Sequence, residues 1–132
     1  MTDTPSVRPR SDRPRVLLVD DNPGLLETLS DILAAAGFDV TPCQSCAEAR
    51  EHIQTDGWDA VVLDIVLPEG NGIELLRLGL KTIPDTRFVL ITAYTDSTLV
   101  DDARAAGAKH ILHKPLDPER LLNILREITG WR

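Results

Sequence analysis

Short, almost solidly apolar runs alternate along this chain with longer stretches whose apolar residues recur every three or four positions. The runs are VLLVD (16–20), FDVT (38–41), AVVLD (60–64), RFVLIT (87–92) and AKHIL (108–112). Runs of Val, Ile and Leu without polar alternation are what a parallel strand buried on both faces requires. The second run is shorter and more polar, which suits a sheet edge. Helix signals fill the gaps. Asn22-Pro23 pairs a cap with a proline at the first helical position, and Gly37 closes that helix after LLETLSDILAAA. Ser45 and Glu48 have capping-box spacing for a second helix, expected to fray near Thr55 before Gly57. Asn71 and Glu74 open a third, carrying Ile73, Leu75, Leu76 and Leu80. A fourth is expected from about Asp96 to Ala106, ended by Gly107. Asp117-Pro118 caps a fifth, with Leu121, Leu122, Ile124, Leu125 and Ile128 as its apolar stripe.

Five strand–helix pairs in strict alternation predict an α/β fold: a doubly wound, five-stranded parallel sheet with helices on both faces. In such sheets ligands bind beyond the carboxyl ends of the strands, where the strand order reverses. The residues at those ends are polar: Asp20-Asp21 after the first strand, Asp64 after the third, Thr92 after the fourth, Lys114-Pro115 after the fifth. The flavodoxin-like order 2-1-3-4-5 makes the first and third strands neighbours, which gathers three carboxylates at the switch point. Adjacent anions repel, and either proton uptake or a hard cation relieves them. Oxygen-only ligands on a pocket rim suit Mg²⁺.

The 132 residues fit one domain, and 42% hydrophobic with 27% charged residues are globular values. The net charge is −7, yet the first fifteen residues carry four Arg and two Asp, so the remainder is −9. An acidic body argues against a phosphate-backbone footprint, and direct nucleic-acid binding is not expected. Residues 1–14, rich in Pro and Arg, are expected to be a disordered leader to a folded domain over 15–130. The leader has no apolar core and is not a signal peptide, and no run approaches the roughly eighteen apolar residues of a membrane span. Two cysteines fit a reducing compartment, so a cytoplasmic location is expected.

In order along the chain stand the pair Asp20-Asp21, then Asp64, Pro68 and Gly72 in the following loop, Thr92-Ala93 and Lys114-Pro115. This set resembles the receiver domain of two-component response regulators, over about Arg15 to Thr129. Any single element is weak, because an Asp at a strand end is commonly a helix or turn cap. The ordered set is specific. The resemblance implies a phosphorylation-dependent switch rather than an enzyme, limited to self-phosphotransfer and slow self-dephosphorylation. Asp64 would accept a phosphoryl group from the phosphohistidine of a sensor histidine kinase or phosphotransfer protein. Asp20, Asp21, Asp64 and the backbone carbonyl of Val66 would hold Mg²⁺. Thr92 and Lys114 would each meet a phosphoryl oxygen, and the Lys114–Pro115 peptide bond is expected to be cis. Output would run through the face of helix four, strand five and helix five, with Asp101, Asp102, Arg104, Lys109, Arg120 and Arg126. Its target would be a downstream protein or a second receiver. The chain is thus expected to be a stand-alone regulator or the receiver part of a longer protein.

Ile111 departs from the pattern, standing where many receivers carry a Tyr or Phe that turns inward on phosphorylation. Tyr94, two residues past Thr92, gates water or simply covers the pocket, and Tyr94 and Val66 are expected to slow hydrolysis of the phospho-Asp. A haloacid-dehalogenase-type phosphatase shares the Asp, Thr, Lys and Mg²⁺ but needs a second Asp two residues after the nucleophile, where this chain has Val66. A degenerate, binding-only receiver would lack a phosphoacceptor or metal ligand, and none is missing. Cys43 and Cys46 form a C-x-x-C, read as incidental thiols at a loop–helix junction. Zinc would need two further ligands, and His110 and His113 fall on the opposite edge strand. His52 is read as a surface helix residue.

Overall fold

The computed structural model describes residues 13–55, 57–93 and 97–131. Strands and helices alternate as β1 (Arg15–Val19), α1 (Pro23–Ala35), β2 (Asp39–Cys43), α2 (Cys46–Ile53), β3 (Ala60–Asp64), α3 (Gly72–Thr82), β4 (Arg87–Thr92), α4 (Ser97–Ala105), β5 (His110–His113) and α5 (Pro118–Thr129). The five strands form one parallel sheet in the order β2-β1-β3-β4-β5. A two-residue antiparallel ladder, Val66–Leu67 with Gly70–Asn71, links β3 to α3.

The solid apolar runs have a direct cause. Alternate residues of each strand point to opposite faces, and both faces are covered. Leu17, Val19, Val61, Leu63, Phe88 and Leu90 pack with α2, α3 and α4 through Ile53, Leu75, Leu76 and Ala103. Val16, Leu18, Ala60, Val62, Val89 and Ile91 pack with α1 and α5 through Leu29, Leu33, Leu121 and Leu125. Each fully buried Val, Leu or Ile among these contributes about 2 kcal/mol relative to exposure.

Helix starts follow the predicted caps. The side chains of Asn22, Ser45, Asn71 and Asp117 accept from the N–H of Leu25, Glu48, Ile73 and Glu119. Strand bounds differ. β2 runs on to Cys43 through Pro42, which an edge strand tolerates. β5 starts only at His110, because the N–H of Ala108 closes the end of α4 on the Ala103 carbonyl at 3.0 Å. α2 ends at Ile53, and Thr55 is already in the closing turn. The predicted start of α4 at Asp96 lies outside the described residues. Pro14, assigned to the leader, is buried and its carbonyl accepts from the Asp39 N–H at 2.9 Å; the rest of the leader, to residue 12, lies outside the described residues. Leu80 is 39% exposed rather than part of the buried stripe. It sits in the last turn of α3 against Gly107, where a β-carbon would press on its Cδ1.

Two tryptophans tie loops to helices at the strand entrances. Trp58 donates from Nε1 to the His52 carbonyl at 2.7 Å and lies under the Arg15 guanidinium, 4.3 Å from the ring centroid. His52 is half-buried with its ring edge-on to this indole, not a free surface residue. Trp131 donates from Nε1 to the Ala36 carbonyl at 3.1 Å, strapping the end of α5 to the end of α1. Gly37, at φ 99°, leaves room for that indole.

Candidate functional site

At the carboxyl end of the sheet, β1 delivers Asp20 and β3 delivers Asp64 from adjacent strands. Both are buried, whereas Asp21 is exposed. One carboxylate oxygen from each of the three lies within 4.8 Å of the others, the only such group of potential metal ligands among the described residues. Each buried carboxylate is held by backbone on one side. Asp20 Oδ1 accepts from the Asn22 N–H at 2.9 Å, and Asp64 Oδ1 accepts from the Val66 N–H at 3.0 Å. The Asp20 N–H in turn donates to the Cys43 carbonyl at 3.1 Å.

Lys114 closes the cluster from β5. Its Nζ donates to Asp64 Oδ2 at 3.0 Å and forms an ion pair with Asp20 Oδ2 at 2.9 Å. Asp20 Oδ2 is buried and has no hydrogen-bond partner beyond this ion pair. Burial pushes the Asp64 carboxyl above its ordinary 3.8, and repulsion from Asp20 adds to this, against the pull of Lys114 and the Val66 N–H. For Lys114 burial works downward, but hydrogen bonding and attraction from Asp20 and Asp64 outweigh it and hold the ammonium above its ordinary 10.5. The pocket is therefore rich in negative charge and carries one protein cation. An oxygen-only donor set with one unsatisfied buried carboxylate oxygen fits a hard divalent cation such as Mg²⁺.

Thr92 is fully buried at the end of β4, and its carbonyl accepts from the Lys114 N–H at 2.8 Å. The Lys114–Pro115 bond is cis, as expected. Val66 is exposed beside Asp64, Pro115 is exposed, and Ile111 is half-buried on β5 against the core. Tyr94 lies outside the described residues. Gly72 permits the close return of the chain: its N–H donates to the Ile65 carbonyl at 2.7 Å, and a β-carbon there would overlap the Asp64 carbonyl oxygen. Sequence reasoning missed the second role of Asn22, taken only as a helix cap. The signal was its place two residues after Asp20, the reach of an Asx turn.

The cysteines do not join this chemistry. Cys43 ends β2 and Cys46 begins α2, both buried, and His110 and His113 sit on the far edge strand. Burial pushes the Cys43 thiol up from 9.0 to about 11. The unfolded thiol ionises first, so stability is expected to fall as pH rises from 9 to 11, and Cys43→Ala should flatten that fall in urea titrations.

Comparison with known proteins gives this geometry its context. The family model for the response regulator receiver domain matches residues 16–126. The chemotaxis protein CheY of Thermotoga maritima is 33% identical over 116 residues, covering 87% of this chain and 97% of CheY. The DNA-binding transcriptional activator DevR/DosR of Mycobacterium tuberculosis is 36% identical over 120 residues, 89% of this chain but only 55% of that protein. Among solved structures, a CheY-like receiver domain protein from Methanospirillum hungatei superposes with a TM-score of 0.85 at 28% identity, covering 89% of this chain and 94% of that one. With the family model spanning all but the first residue of the sheet and every strand end described above, the chain belongs to the response regulator receiver domain family.

Proposed function

We propose that this chain is a phosphorylation-dependent signalling switch with Asp64 as its phosphoacceptor. The observation that carries this reading is the Lys114 ammonium seated between Asp20 and Asp64 at the carboxyl edge of the sheet. An Asp64 carboxylate oxygen attacks the phosphorus of a phosphohistidine on a sensor kinase or phosphotransfer protein. The P–N bond breaks, the electron pair leaves with the imidazole, and an aspartyl phosphate forms. Asp20, Asp21, Asp64 and the Val66 carbonyl would hold Mg²⁺, which when bound offsets the negative charge of the transferring group. Lys114 follows a phosphoryl oxygen from its present place on Asp64, and the Thr92 hydroxyl meets another. The backbone N–H groups of Asn22 and Val66 keep the two buried carboxylates oriented without side-chain rearrangement.

With Ile111 on β5, output does not use an aromatic rotamer there. The signal passes from Thr92 and Lys114 to the α4–β5–α5 face and on to a downstream protein or a second receiver. The folded domain takes in residues 15–130, and the protein works in the cytoplasm. Val66, exposed beside the acceptor, and Tyr94 shield the phosphoryl group from water.

The test is to incubate the protein with acetyl phosphate and read its intact mass. A phosphoryl adduct is expected with Mg²⁺ and not with a chelator. Absence of any adduct, together with no binding of beryllofluoride, would sink the mechanism and leave the fold untouched.

A further inference from the structure

The strand entrances, at the opposite end of the sheet from the carboxylates, hold a second feature. The last turn of α3, the turn into β4 and the turn between α4 and β5 enclose a cavity of about 210 Å³. Its apolar lining includes Leu76 and Phe88, both buried, and Leu80. Leu80 is one of two large apolar side chains left exposed among the described residues, the other being Val66 at the phosphoacceptor.

Cations stand around this apolar lining. Arg87 and Lys109 are exposed and His110 is half-buried. Val89 pairs with His110, so Arg87 and Lys109 lie at the entrances of neighbouring strands. Neither makes an ion pair among the described residues. Asp85 is the one carboxylate of the lining and is likewise unpaired. A charged rim around an apolar centre is the anatomy of a protein-binding patch. The cavity falls below the roughly 300 Å³ at which small-molecule pockets begin, so it suits inserted side chains better than a cofactor.

We propose that this cavity docks an acidic amphipathic helix of a partner protein. An apolar side chain of the helix enters between Leu80 and Phe88, and carboxylates flanking it meet Arg87 and Lys109. β4 separates Arg87 from Thr92 by five residue steps, about 17 Å along an extended strand, so a docked helix leaves the acidic pocket open. Docking needs no phosphoryl group on Asp64, and the inference stands whether or not Asp64 accepts one.

The test uses a fluorescein-labelled amphipathic helical peptide of leucine and glutamate, with a second peptide carrying lysine at every glutamate. Fluorescence anisotropy should show binding of the first and not the second. Affinity should weaken as salt is raised. Arg87→Glu with Lys109→Glu should weaken binding about tenfold or more, since like charges then face each other. Leu80→Ser should weaken it comparably, and this exposed position keeps the test intact if charge reversal disturbs β4. Arg50→Glu, exposed on α2, should bind as the parent does. Equal binding of both peptides, no binding by the parent, or undiminished binding by the cavity variants would each overturn the proposal. So would self-association in light scattering that disappears on charge reversal, which would assign the cavity to a second copy of this chain.

Discussion

Asp64→Asn is expected to take up no phosphoryl group from acetyl phosphate and, without added metal, to be no less stable than the parent at neutral pH. The first half follows because an amide offers no anionic oxygen to attack phosphorus. The second follows from the cost of the native carboxylate. Burial holds the Asp64 carboxyl above 3.8 even with Lys114 and the Val66 N–H attached. A carboxyl raised in the fold is more easily protonated there than in the unfolded chain. Its ionised form therefore counts against folding, and the loss sets in as pH climbs above 3.8 through the raised value. Asparagine keeps the shape and an oxygen for the Val66 N–H while discarding the charge. Urea midpoints with and without Mg²⁺ check this. The parent should gain stability from the metal by mass action, and the variant should lose most of that gain. A variant clearly weaker than the parent without metal would mean that the Lys114 pair outweighs the burial cost.

Lys114→Ala is expected to act in the opposite sense on stability, both without metal and with it. It removes the cation shared by Asp20 and Asp64 and leaves two buried carboxylates facing each other. Breaking a buried pair from one side costs roughly 3–5 kcal/mol, and Lys114 is 23% exposed, so a loss of about 2 kcal/mol is expected without metal. Mg²⁺ should restore more stability to this variant than to the parent, because it then neutralises a more negative pocket. Phosphoryl transfer should slow by about a hundredfold or more, the scale set by losing one preorganised electrostatic contact. Thermal melts across a Mg²⁺ titration, paired with adduct formation by intact mass, separate the two effects. If the variant melted like the parent at every Mg²⁺ level, Lys114 would be a solvated charge.

The site was legible in the chain to the extent that it rests on strand ends. Asp20, Asp64 and Thr92 each follow a run buried on both faces, so the run itself marks where the strand stops. Other features depend on groups that sequence periodicity does not register. β5 begins late because the Ala108 N–H is taken by α4, and β2 continues through Pro42 because an edge strand needs fewer donors. Leu80 has the spacing of a buried residue, but it lies in the last turn of α3 against Gly107 and stays exposed. The bridging position of Lys114 depends on how far a flexible side chain reaches across the switch point. The same holds for the backbone clamp on Asp20 from Asn22 and Cys43, which joins the end of β1 to the end of β2.

The placement of the indoles has an optical consequence. Trp58 and Trp131 are the two tryptophans of the chain, and both are fixed at the strand entrances. From Trp58 to Asp64 is six residue steps, about 20 Å along an extended chain. A bound cation or phosphoryl group at that distance has no contact through which to quench either ring. Native emission should then stay constant while the acidic pocket fills, and change only when Trp58 leaves Arg15 or Trp131 leaves Ala36. The two indoles should therefore report unfolding of the protein and not the filling of its acidic pocket.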